Sequence, residues 1–238
     1  MNKKKKPRSS KKTLIVVLAA VVAVGMVLST VIIYIDYIRK PNYTQKENAD
    51  QESFERQLQA EHENLKQEAR QLEKYIEDYG PSPAVLDRLA SIYSGLAEYA
   101  RWLDAESRPQ YLEKAAEIYR SLVEEEPQQV KYQFLLYSTY ASLEQEEEAK
   151  QQVGSLKQLL EQKQAGGTLE NLDRFYYALV LDEVDSDRQG ALDQLSTILD
   201  TEPEDSPLYS YAKSYREQLK SGDKPSGEPT EGNSSPGN

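Results

Sequence analysis

The sequence predicts an all-α protein, with one N-terminal transmembrane helix followed by an α-solenoid of helix pairs. Three observations carry that expectation. Thr13 to Ile35 is a run of twenty-three residues without a charge. Beyond residue 45 no stretch alternates β-branched and polar residues between turns; apolar residues recur instead at three- and four-residue spacings. Gly and Pro gather at a few places only, where helices should stop and start.

Composition narrows the function classes. The chain has 238 residues, enough for one or two domains, of which 38% are hydrophobic and 29% charged. Zero Cys excludes disulfides, a thiolate nucleophile, Cys-ligated metal and cysteine-linked lipid. A single histidine, His62, excludes a two-His metal site within one chain, and a histidine-bearing triad would have to use it. The formal charge is −11, yet seven basic residues sit in the first twelve positions; from Thr13 onward 22 basic face 40 acidic residues, a formal −18. So acidic a body repels phosphate backbones, which excludes nucleic acid as a partner. No cofactor is expected.

Residues 13–35 reach about 34 Å as a helix, enough for a hydrocarbon core of about 30 Å. Residues 1–12 carry Lys3, Lys4, Lys5, Lys6, Arg8, Lys11 and Lys12, whereas only Arg39, Lys40 and Lys46 follow closely behind the run. The positive-inside rule therefore puts residues 1–12 in the cytoplasm and the body outside the cell membrane. Tyr34, Tyr37, Arg39 and Lys40 suit the outer interface. A cleaved signal peptide shares the basic start, but its apolar core is shorter and its exit small; here the exit, IIYIDYIRK, is bulky, which favours an uncleaved anchor.

Residues 36–53 read as a juxtamembrane linker. Residues 54–79 form a long helix with Leu58, Leu65, Leu72 and Tyr79 seven apart and His62, Ala69 and Ile76 between them, ended by Gly80-Pro81. It is either an N-terminal cap on the next helix or a short coiled coil that makes a homodimer. Ser82-Pro83 opens a helix bearing Leu86, Leu89, Ala90, Tyr93, Leu96, Ala97, Ala100 and Leu103 on one face. Helices then follow from about 109 to 126, 130 to 143, 147 to 164, 169 to 183 and 188 to 201. Ser206-Pro207 opens the last, which closes at Ser221-Gly222. Residues 221–238 hold no apolar side chain to bury and read as a disordered tail.

An internal repeat runs through residues 82–220. With Val130 as position one, Leu136 falls at seven, Tyr140 at eleven, Ala149 at twenty and Val153 at twenty-four. Ala115, Tyr119, Leu122 and Pro127, then Ala191, Leu195, Ile198 and Pro203, match the second half, with twelve residues from Ala to Pro in both. This spacing resembles the tetratricopeptide repeat, of the membrane-anchored bacterial type. Tyr137 departs from the family's small residue at position eight, and about thirteen extra residues separate Tyr93 from Ala115. Phe175, Tyr177, Ala178 and Leu181 fit a third helix A after a one-residue shift, and Leu208, Tyr211, Ala212 and Tyr215 fit a terminal cap helix.

The resemblance implies that a protein or peptide partner lies on the faces of the helices A, at repeat positions two, five, nine and twelve. Carried onto this chain, those positions are Lys131, Phe134, Ser138 and Ala141, then Tyr176, then Ser206, Tyr209, Lys213 and Arg216. The paired Lys and Asn of the family's carboxylate clamp are not reproduced. Other candidates read as structure. His62 sits in a packing seam, Glu124–Glu126 and Glu146–Glu148 are solvated runs at helix ends, and Gly166-Gly167 lacks the Lys-Ser/Thr of a phosphate loop. Seventeen Tyr against three Phe favour contact surfaces, since Tyr joins a large rigid area to a hydroxyl.

The expected function is a membrane-anchored, extracytoplasmic scaffold or adaptor, tied to the membrane through residues 13–35, that assists an envelope or secretion complex. It is not expected to be an enzyme, and no small-molecule substrate is expected. The alternatives are a spacer or dimeriser acting through residues 54–79, and a wall-acting hydrolase using two carboxylates.

Overall fold

The structure, a computed structural model, describes residues 47–221. The basic N-terminus, the apolar run 13–35, the linker up to residue 46 and the tail beyond Ser221 lie outside the described residues. Among those described, every regular element is helical: α1 (Glu47–Tyr79), α2 (Pro83–Leu103), a 3-10 turn (Ala105–Ser107), α3 (Arg108–Glu125), α4 (Val130–Ser142), α5 (Glu146–Ala165), α6 (Asn171–Glu183), α7 (Arg188–Thr201) and α8 (Pro207–Ser221). None of these helices is long and apolar enough to cross a membrane. Among the described residues two compact units are formed: 47–126 with 138–146, and 127–137 with 147–221.

In the first unit α1 begins at Glu47 rather than at Phe54. Its opening residues, ENADQES, are polar, so no apolar seam announces them. Leu58, His62, Leu65 and Ala69 are buried, Leu72 and Ile76 half-buried, and Tyr79 is 75% exposed. The helix lies along α2, where a methyl group at Gly95 would stand 3.3 Å from Leu65 Cδ1. Toward the end of α1 polar ties replace apolar packing: Arg88 Nη2 donates to Glu68 Oε1 at 2.6 Å, and Tyr93 Oη donates to Glu73. Gly80, at φ +85°, ends the helix in a conformation that a side chain would strain. Ser82 then takes extended cap geometry with Pro83 behind it, but its hydroxyl makes no capping hydrogen bond.

Helix α2 lies against both α1 and α3, and buries Leu89, Ala90, Ile92, Tyr93, Leu96, Ala97 and Ala100. At 21 residues, against 13 for α4 and α6, α2 together with the following 3-10 turn takes up the extra residues between Tyr93 and Ala115. Helix α3 answers with Leu112, Ala115, Ala116, Tyr119 and Leu122. Arg120 donates from Nη2 to Tyr140 Oη at 3.1 Å, and Arg108 from Nη1 to the Ser142 carbonyl at 3.2 Å; these bonds hold the end of α4 in this unit.

In the second unit the start of α4 packs with α5 and α6 around Val130, Val153, Leu156, Leu159, Leu160, Leu169, Tyr177 and Val180. Ala178 of α6 then joins Ala191, Leu195 and Ile198 of α7 and Ala212 and Leu219 of α8 in a second cluster. Leu169 precedes α6, which starts at Asn171, and fills the first cluster from the turn after Gly166-Gly167. Asp187 caps α7 by accepting from the Gly190 amide at 2.9 Å, and Ser206 caps α8 by accepting from the Leu208 amide at 3.1 Å.

His62 is buried among these packing groups. Its ring stands 6.0 Å from Tyr111 of α3, edge-on, and 6.5 Å from Tyr99 of α2, while Nε2 has no hydrogen-bond partner among the described residues. Burial pushes its pKa below the ordinary 6.5, and Lys66 adds to this against the opposing pull of Glu63 and Asp104. The neutral imidazole is therefore the form that folding favours. Its contribution is complete above pH 6.5 and is lost as pH falls below that value, because the unfolded chain takes up the proton first. Proton NMR of this one histidine should show a pKa below 6.5, and stability should fall more steeply as pH drops below 6.5 in the parent than in His62→Phe; parallel urea midpoints for the two proteins would contradict it.

Candidate functional site

The structure brings two of the sequence-predicted residues into direct contact. Phe134 of α4 and Tyr176 of α6 stand with ring centroids 5.0 Å apart, both half-buried in the second unit. Tyr137, one turn along α4, meets Phe134 edge-on at 6.1 Å. The edge-on pair has the geometry that adds about 0.5–1.5 kcal/mol beyond burial, and the Phe134–Tyr176 rings are tilted at 36° to each other. Both rings of the closer pair hold position five of a helix A in the predicted register. Lys131 also lies on α4, half-buried, with its ammonium 5.5 Å from the Tyr132 ring.

Tyr209 and Lys213 come together on α8, where they line a shallow hollow with Glu204, Ser210, Ser214 and Glu217. Arg216 is half-buried beside Tyr215, and its Nε finds no partner among the described residues. Two residues do not fit the predicted surface so simply. Ser138 is half-buried in the part of α4 that belongs to the first unit. Ser206 is engaged as the α8 cap, its hydroxyl also donating to Glu202 Oε1 at 2.7 Å.

Three interhelical ties of the second unit were not legible in the sequence. Tyr215 Oη donates to Asp182 Oδ2 at 2.8 Å, with the Phe175 ring 6.2 Å from its own. Burial first, and then that carboxylate, hold the Tyr215 hydroxyl far above its ordinary pKa, so it stays a neutral donor. Burial likewise raises Tyr137, with Glu183 adding to it. Asn171 Nδ2 donates to Glu202 Oε2 at 2.8 Å. Lys163 at the end of α5 meets the buried Asp173 of α6 at 2.6 Å. These pairs join residues ten to thirty-three positions apart, a separation that no local pattern marks.

What this region offers is contact chemistry: ring faces, neutral hydroxyls and cations held on packed helices. Among the described residues no group of three or more His, Asp or Glu is placed to hold a metal ion. Compared with protein-family models, curated proteins and solved structures, the chain matches none. The resemblance to tetratricopeptide repeats rests on the chain's own spacing.

The buried ion pair makes a specific prediction. Lys163→Met leaves the Asp173 carboxylate buried and unpaired, which should cost about 3 kcal/mol by urea denaturation. The double variant Lys163→Met/Asp173→Leu should recover most of that loss. Additive losses in the double variant would contradict the assignment.

Proposed function

We propose that the protein is a single-span membrane anchor carrying tetratricopeptide-like helix pairs, which bind a protein or peptide partner on the extracytoplasmic side and thereby serve an envelope or secretion complex. The observation that carries this reading is the Phe134–Tyr176 ring contact, which joins equivalent positions of successive helices A on a half-buried face. Aromatic side chains of this kind give up little conformational entropy when a partner covers them, and so anchor interfaces well. Packed helices beneath keep the face preformed. The apolar run 13–35, read as an anchor, raises the effective concentration of that face toward other membrane-bound proteins.

Its architecture is similar to single-span bacterial proteins that accompany secretion or envelope assembly, an analogy of arrangement alone. The spacer reading needs α1 to expose a dimerising seam. Burial of Leu58, Leu65 and Ala69 in a single chain, with α1 lying along α2, favours the adaptor.

The test is in-cell crosslinking followed by affinity capture of the full chain against Phe134→Ala/Tyr176→Ala, with equal helicity checked by circular dichroism. Specific envelope proteins should be recovered with the parent and reduced about tenfold or more in the variant, a loss of about 1.4 kcal/mol or greater. Equal recovery from both proteins would overturn the assignment of the face. Protease added to intact cells should degrade the body and spare residues 1–12; a protected body would overturn the orientation.

A further inference from the structure

Helix α8 carries Tyr209, Lys213, Arg216 and Lys220 at spacings of four, three and four, which on an α-helix is one stripe. The adjacent face is held down by Ala212 and Leu219, both buried, with Leu208 and Tyr215 packed against the same cluster. The stripe is therefore presented by a docked helix. Elsewhere among the described residues of this acidic chain many cations are paired, among them Arg88 with Glu68, Lys114 with Glu73, Lys157 with Asp185 and Lys163 with Asp173, and Lys150 and Arg188, which are not, stand singly on α5 and α7. Among the described residues Lys213, Arg216 and Lys220 have neither a hydrogen bond nor an ion pair, and Arg216 Nε is buried without a partner. Three unneutralised cations on one helix face are out of keeping with a body whose formal charge from Thr13 onward is −18.

We infer that this stripe is the docking site for an acidic linear segment of a protein partner. The inference rests on the adaptor reading and names the chemistry of what is bound. Lys213 and Lys220 are separated along the helix by about 10 Å, with Arg216 between them. In a polyproline-II strand every third residue returns to the same face after about 9 Å, so carboxylates at that spacing meet both ends of the stripe. Arg216 supplies planar donors for a carboxylate, and the half-buried Tyr209 ring supplies an apolar contact at one end.

The surroundings select a short segment over an extended anionic surface. Glu204 and Glu217 flank Tyr209 and Lys213 in the same hollow. With the acidity of the rest of the body, they repel a charged bilayer or a long polyanion. A flexible strand that touches only the stripe avoids most of that repulsion.

The test places the full chain in phosphatidylcholine nanodiscs and measures fluorescence anisotropy with a labelled peptide repeating Glu-Pro-Ser. The parent should bind this peptide in a salt-sensitive way, and Lys213→Gln/Arg216→Gln/Lys220→Gln should weaken binding about tenfold or more. Lys150→Gln/Arg188→Gln, which removes two cations away from α8, should leave it unchanged. Equal binding of the Gln-Pro-Ser peptide, equal binding by the triple variant, or no binding by the parent would each overturn the inference. So would stripe-dependent binding to phosphatidylglycerol vesicles without binding of the peptide. Because Phe134 and Tyr176 are intact in these variants, failure here alongside envelope partners lost in Phe134→Ala/Tyr176→Ala would sink the acidic-segment inference alone.

Discussion

Ala90, Ala97, Ala100, Ala115 and Ala116 in the first unit, and Ala178, Ala191 and Ala212 in the second, are buried in the layers where one helix packs on another. Small side chains there let the backbones approach, and the larger residues beside them, Tyr119, Leu122, Leu195 and Ile198, then fill the remaining space. Enlarging one of these alanines would force the pair apart and cost about 1–3 kcal/mol in strain. Gly95 facing Leu65 is the same device at the α1–α2 contact. The binding faces proposed among the described residues sit on helices that this close packing holds in place, Phe134 and Tyr176 themselves packing against a core cluster.

The tyrosines divide according to that packing. Tyr93, Tyr119, Tyr140 and Tyr177 are buried and spend their ring area on the two cores, some with a polar tie such as Arg120 to Tyr140. Tyr137, Tyr176 and Tyr209 stay half-buried on helix faces, with ring area that a partner can cover. Tyr215 bridges both roles, packed near Phe175 and fixed by Asp182. High hydroxyl pKa values follow from burial in each case where they occur, which makes these groups donors at any physiological pH.

Much of the helical layout was legible because this chain punctuates its helices. Gly80-Pro81, Pro127, Gly166-Gly167, Pro203 and Ser206-Pro207 each fall at or beside an observed boundary. The start of α1 was hidden because its first residues carry no apolar face, and helix propensity alone marks no edge. The spacing of small and large residues marked core positions, including Ala149, Val153 and Ile198. Long-range polar pairs such as Lys163–Asp173 were hidden, since forty acidic residues make every cation's partner ambiguous in one dimension. Phe134 and Tyr176 emerged from the repeat register, whereas Lys220 lies on the predicted last helix but outside the register positions that the resemblance supplied.

Site-specific photocrosslinking in living cells tests the central claim most directly. A photoreactive phenylalanine analogue at Tyr176 reports on the helix-A face, and the same analogue at Ser155, exposed on α5, reports on a different surface. A discrete adduct with an envelope protein from position 176 and none from position 155 is the expected result. Adducts from 155 alone, or the same adducts from both, would mean that the Phe134–Tyr176 face is a packing feature and that the partner is held elsewhere.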